Sequence, residues 1–354
     1  MCSSDLTLAA TVLSSVAQPA FGWLTDQRPR RWLIGAGMGT AAVGVGLSGL
    51  FSGYVLTWLV IALSGLGVAA FHPEAARAAR QAAGNSNQAM SIFALGGNVG
   101  YALGALIATP VLLLFGLRGT PFLIIPAALM VVLLALRLGR VLDGPDGRRG
   151  AANLPMGDDE WPAFWRLTVV VVLRSIMFFG ITSFIALYFI HQLHASVALG
   201  GAALTTFLIS GAIGTLLGGW IADRTAALTS VRIGFALAIP ALAGVVLAGN
   251  VVVCLVFVVL AGIASYLPFS VFVILGQDYL PNRIGTASGV TVGLAVSVGG
   301  LFNPLFGALA DATSLRTMLA VVVALPVLAL VLSLFLREPA VRRIGVPLGD
   351  LPID

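Results

Sequence analysis

About eleven apolar runs, each long enough to cross a bilayer as a helix, follow one another with short polar turns between them. They lie near 6–24, 32–53, 55–79, 88–115, 120–139, 165–190, 198–221, 231–249, 251–277, 286–309 and 315–336. No other feature limits the fold so strongly. In hydrocarbon every backbone N–H and C=O must find a partner within the protein, which leaves helices and closed barrels. The alternating pattern of a barrel strand is missing from these runs, so they predict an all-α membrane protein. Composition agrees: 59% of residues are hydrophobic and 9% charged, against about 25% charged in a soluble domain.

All 19 basic residues are arginine. Assigning the turns alternately to two sides puts sixteen arginines on one side and two, Arg118 and Arg316, on the other, with Arg174 left inside a run. The crowded side, which also holds the C-terminus, is expected to be cytoplasmic. The net charge of +5 is therefore an orientation signal, and no nucleic-acid partner is expected. The two cysteines and three histidines fall into no metal or nucleophile pattern, and there is no P-loop. These absences point away from an enzyme and from any cofactor.

The sequence repeats itself. "GWLTD" at 22–26 returns as "GWIAD" at 219–223, a shift of 197 residues. The same shift carries Leu63 onto Leu260, Gly65 onto Gly262, Asn85 onto Asn282, Ser91 onto Ser288, Gly96 onto Gly293 and Arg140 onto Arg337. An even number of spans separates the copies, so the two units have the same orientation. Parallel six-helix halves are the architecture of major facilitator transporters. The second half supplies six spans and the first five. The simplest account is that the partner of the 165–190 span would precede residue 1, so that a first helix is missing. The expected layout is an N-terminal half at 1–140, a cytoplasmic linker at 141–163, a C-terminal half at 164–340 and a cytoplasmic tail at 341–354. The linker is expected to be a loop with at most one surface turn near Trp161 and Trp165.

Several charged stretches carry candidate functions. "AFGWLTDQRPRRW" (20–32) resembles the major facilitator signature Gly-x-x-x-Asp-Arg-x-Gly-Arg-Arg; Gly22, Asp26, Arg30 and Arg31 match it, and Gln27 and Pro29 depart from it. Gly22 would let two helices approach closely. Asp26, at a helix end, would accept from an arginine or from free N–H groups of a neighbouring helix start, forming a cytoplasmic latch. Gly219, Asp223 and Arg224 repeat it without the trailing arginines, which predicts a weaker second latch. The alternative is a plain positively charged turn.

Arg174 is the tenth residue of its span, about 15 Å along at 1.5 Å per residue, near the bilayer midplane. A charge there should face a cavity or a partner, and an anionic substrate group or a carboxylate would suit it; a structural ion pair is the alternative. His72, Glu74 and Arg77 in "AFHPEAARAAR" (70–80) are candidates for a proton pathway, with Glu74 and Arg77 spaced to pair with each other. Arg80 is the weaker candidate there. Gln277, Asp278 and Tyr279 lie at the cytoplasmic end of their span and are candidates for a gate, where Asp278 would pair with Arg283 or line the mouth; a simple polar boundary is the alternative. Gly96, Gly100 and Gly104 predict a smooth face for close helix packing, with Asn98 toward a cavity and Asn303 in the matching place of the second half.

"GLGVAAFHPEAARAAR", "LRSIMFFGITSFIALYF" and "GQDYLPNRIGTASGVTVGLAVSVGGLFNPLFGALAD" are similar to the bacterial fosmidomycin resistance family of the major facilitator superfamily. The resemblance covers nearly the whole chain. It implies a twelve-helix inner-membrane exporter that exchanges protons for a small molecule, a phosphonate being one possible substrate; a monomer is expected. Competing readings are an importer or facilitator of a sugar, organic acid or other metabolite, and an inactive truncated membrane protein.

Overall fold

The computed structural model describes residues 2–84, 86–152 and 154–339; the tail expected at 341–354 lies outside them. The first half contains α1 (Cys2–Gln27), α2 (Trp32–Leu47), α3 (Tyr54–Ala83), α4 (Asn87–Phe115) and α5 (Ile124–Asp143). A short α6 (Pro145–Ala152) follows. The second half contains α7 (Trp161–Leu187), α8 (Val197–Arg224), α9 (Ala227–Leu247), α10 (Val251–Tyr266), α11 (Phe269–Tyr279), α12 (Ile284–Ser288), α13 (Ala295–Gly300), α14 (Asn303–Ala312) and α15 (Leu315–Leu334). Among the described residues, eight helical stretches are long and apolar enough to cross a membrane, and the 16-residue α2 is shorter. Three of the expected spans are not simple rods. A 3-10 turn, Gly116–Leu123, joins α4 to α5; α10 and α11 break at Leu267 and Pro268; and a π-turn, Gly289–Leu294, separates α12 from α13.

The helix boundaries follow from local chemistry. Ser86 Oγ accepts from Ala89 N at the start of α4, and Asn250 Oδ1 accepts from Val253 N at the start of α10. Each satisfies a donor that the helix itself leaves free. At the end of α3, Gly84 takes φ +59° and its N–H reaches the Arg80 carbonyl, a left-handed closure that favours glycine.

The 197-residue shift holds in the helices. It carries the first residue of α3, Tyr54, onto Val251 of α10, and the first residue of α4, Asn87, onto Ile284 of α12. Packing repeats likewise: α1 and α2 lie on α3 as α8 and α9 lie on α10, and α2 meets α5 as α9 meets α15. The α7–α13 packing has no counterpart among the described residues of the first half. There, Gly299 and Gly300 lie against Ser175 and Phe179 of α7. The corresponding stretch of α4 differs from expectation. Gly96, Gly100 and Gly104 face open space, because no described helix sits on α4 as α7 sits on α13.

The segment between the halves is also more ordered than expected. α5 runs on to Asp143, α6 is helical, and Trp161 and Trp165 stack within α7 rather than forming a surface turn. Gln81 Nε2 on α3 donates to the Leu142 and Gly147 carbonyls, and Gly150 sits so close to the Gln81 carbonyl that a Cβ would collide with it. These contacts hold α6 against α3.

Candidate functional site

The two halves meet along α1 against α12 and the π-turn, and along α4 against α8 and α11. Their tightest contacts gather at the end that carries the arginine-rich turns. Asp26, in the last turn of α1, accepts from Gly285 N (2.7 Å), Thr286 N (2.8 Å) and Thr286 Oγ1 (2.7 Å) at the start of α12. Arg77 of α3 donates to the same carboxylate. Asp223, in the last turn of α8, accepts from Asn87 N (2.6 Å), Gln88 N (3.0 Å), Asn87 Nδ2 (2.9 Å) and Ser86 Oγ (3.0 Å) at the start of α4. Each half thus lends a carboxylate to a helix N-terminus of the other. Free N–H groups and the positive end of the helix dipole favour an anion at that place.

Gly22 and Gly219 permit this approach. A Cβ on Gly22 would collide with the Gly285 carbonyl, and one on Gly219 with Ser91 Oγ and the Asn87 carbonyl. The two sites differ in one respect. The shift that relates them carries Arg77 onto Ile274, so Asp223 has no matching cation and stays exposed, whereas Asp26 is largely enclosed.

Further polar contacts cross between the halves nearby. Arg80 Nη2 and Asp278 Oδ1 are 2.7 Å apart, both side chains almost fully buried. Ser91 and Ser270 hydroxyls are 2.7 Å apart, and the Ser15 and Ser297 hydroxyls also meet. Gln277 Nε2 donates to Ser288 Oγ at 2.9 Å and reaches the Ala76 carbonyl at 3.5 Å.

Several expected pairings are different. Asp278 pairs with Arg80 rather than Arg283, which instead reaches Asp159 at 3.1 Å. The reason is helix phase: Asp278 lies on the face of α11 turned to the first half. Arg30 and Arg31 do not hold Asp26. Arg31 bonds Asp143 at 2.8 Å on the surface, and Arg30 presents its main chain to Glu74. Arg224 stacks on the Trp220 ring, 4.0 Å from its centroid, and leaves Asp223 to the backbone and neutral side-chain donors at the start of α4. Tyr279 is buried in the second half's core and donates to the Arg337 carbonyl at 2.6 Å.

Glu74 is buried on α3; its Oε2 stands 3.9 Å from Arg77 Nε and that oxygen has no hydrogen-bond partner. His72 stands edge-on to the Phe71 ring. Asn98 is in α4 with a buried, unbonded Nδ2. Asn303 Nδ2 donates to Ser183 Oγ at 2.9 Å, within the second half. Arg174 lies away from the latched end, buried in α7. The residues missed by sequence reading are the receivers: Ser86, Asn87 and Gln88 on one side, Gly285 and Thr286 on the other.

Two parallel helical halves, clasped at one end through exchanged carboxylates, define a two-domain membrane transporter fold. The chain matches the family model "Major Facilitator Superfamily" over residues 3–304, and it belongs to that family. It is 32% identical over 305 residues to an uncharacterized MFS-type transporter, YfnC, of Bacillus subtilis (strain 168), covering 84% of this chain and 74% of that one. It is 29% identical over 303 residues to the fosmidomycin resistance protein of Escherichia coli (strain K12), with the same coverage. Among solved structures, the E. coli fucose:proton symporter FucP aligns with a TM-score of 0.74 at 12% identity, covering 95% of this chain and 92% of that one. The human organic anion transporter MFSD10 aligns with a TM-score of 0.74 at 14% identity, covering 93% and 83%.

Proposed function

We propose that this chain is a proton-coupled secondary transporter that exports small molecules, drugs among them, across the bacterial inner membrane by alternating access. The observation that carries the reading is the pair of exchanged carboxylates, Asp26 on α12 and Asp223 on α4. Such contacts can form and break as rigid halves rock, since each ties a helix end of one half to a helix start of the other. The crowding of arginines supports a cytoplasmic position for the clasped end and the C-terminus, and on that reading this form is closed to the inside. Protons enter the cycle through the carboxylates at that end. Asp26, Glu74 and Arg77 lie together, and adding a proton to Asp26 removes the charge that α12 and Arg77 hold. One chain carries both halves, so a monomer suffices. The likeness to a fosmidomycin resistance protein makes phosphonate drugs the first substrates to test.

The test uses everted membrane vesicles containing the chain and a pH-sensitive dye. After respiration acidifies the lumen, adding fosmidomycin or a cationic dye should dissipate part of the proton gradient. Asp26→Asn should abolish that response. A gradient unaffected by the whole panel, with the chain present in the membrane, sinks the efflux reading. Uptake of a sugar or organic acid in right-side-out vesicles would replace it with import.

A further inference from the structure

Arg174 is buried in the second half at the break between α10 and α11. Pro268 brings no N–H to the helix ladder there, and Arg174 Nε donates to the Ser265 carbonyl at 3.0 Å. The guanidinium carbon lies 5.1 Å from the ring centroids of Phe178 and Tyr266 and 4.9 Å from that of Phe269. Among the described residues, no carboxylate stands within ion-pairing distance. Arg174 Nη2 is buried without a hydrogen-bond partner, and so is the hydroxyl of Ser265, the residue whose carbonyl Arg174 already holds.

A carbonyl and three ring faces compensate a buried guanidinium only in part. The unspent donor and the unspent hydroxyl belong to one cluster, and the net charge there is positive. Those groups fit an anion with two or more oxygens. We propose that Arg174 and Ser265 form the site that receives the acidic group of a small organic anion, a phosphonate or a carboxylate, with the partly exposed Phe178 and Phe269 rings at its edge. The inference rests on the reading of the chain as a small-molecule transporter, and it names the chemical class recognised by this part of it. Anion binding exchanges a desolvated, unpaired charge for a charge-assisted hydrogen bond.

Direct binding tests it without any transport step. The purified full chain in lipid nanodiscs is titrated calorimetrically with fosmidomycin, with benzoate and with benzamide as the neutral partner of benzoate. Fosmidomycin or benzoate should bind, and benzamide about 10-fold more weakly or not at all. Arg174→Gln should weaken the anion about 10- to 100-fold, and Arg174→Lys less. Ser265→Ala keeps the carbonyl that Arg174 holds, so it should weaken binding while leaving the unfolding temperature unchanged. Equal binding of acid and amide, undiminished anion binding by Arg174→Gln or Ser265→Ala, or no binding of either anion by the parent chain overturns the proposal. The vesicle assay is independent of this outcome: a chain that moves a cationic dye yet binds no anion keeps the transporter reading and loses this site. Anion binding lost in Arg174→Gln supports the site even where efflux is absent.

Discussion

Asp26 is surrounded by donors of three kinds: two main-chain N–H groups, the Thr286 hydroxyl and the Arg77 guanidinium. Asp223 has backbone, amide and hydroxyl donors and no cation, and it is exposed to solvent. Charge at a helix start contributes typically 0.3–1 kcal/mol in exposed places and up to about 2 kcal/mol when partly buried. Asp26→Asn is therefore expected to loosen the clasp more than Asp223→Asn. Hydrogen exchange of the 281–290 peptide should quicken about tenfold in the first variant, and that of the 86–92 peptide by a smaller factor in the second. Equal protection in Asp26→Asn and the parent chain would falsify the role of the charge. Gly22 carries the steric side of the same contact. Gly22→Ala puts a methyl group against the Gly285 carbonyl, and overpacking of this kind costs about 1–3 kcal/mol. The closed end should open, seen as faster exchange in the same peptide.

At the scale of elements, α3 and α11 are joined by the buried Arg80–Asp278 pair. Removing one partner of a buried pair leaves an uncompensated charge and costs about 3–5 kcal/mol, whereas removing both costs much less. Thermal unfolding in detergent should show Arg80→Ala and Asp278→Ala each strongly destabilised, with the double variant more stable than either. Additive losses would mean the pair does not act as a unit. The α10–α11 break belongs to the same scale. The Ser265 carbonyl lies in the last turn of α10, where the helix ends before α11 begins, and Arg174 takes it up.

For the molecule as a whole, the two clasps are separate contacts on either side of one closed end, related by the internal repeat. Each can fail while the other holds. Asp26→Asn with Asp223→Asn is expected to shift the halves toward the form open at this end more than either change alone. Arg80, almost fully buried in the closed form, reports the shift. Its modification by phenylglyoxal should speed up roughly as the product of the two single effects, as independent sites add in free energy. A double variant no faster than Asp26→Asn would leave the second clasp without a share in closure.

The 197-residue register, the helical spans and the carboxylates at helix ends were all legible in the residue order. Bilayer thickness and backbone hydrogen bonding impose those patterns locally, so a run of residues displays them without its neighbours. The partners were not legible. Asp26 has Arg28, Arg30 and Arg31 close by in sequence, yet its cation is Arg77, because α3 packs on α1 and turns that side chain toward it. Asp278 lies nearer in sequence to Arg283 than to Arg80, and it pairs with Arg80 because α11 faces the other half. The glycine stretch of α4 had the spacing for close packing, but only the arrangement of helices decides whether anything stands opposite it. Sequence by itself determined that the chain is built of long apolar helices and that the halves repeat. Tertiary structure alone decided which donor meets which carboxylate and where Arg174 is enclosed, since those depend on the rotation and separation of helices far apart in the chain.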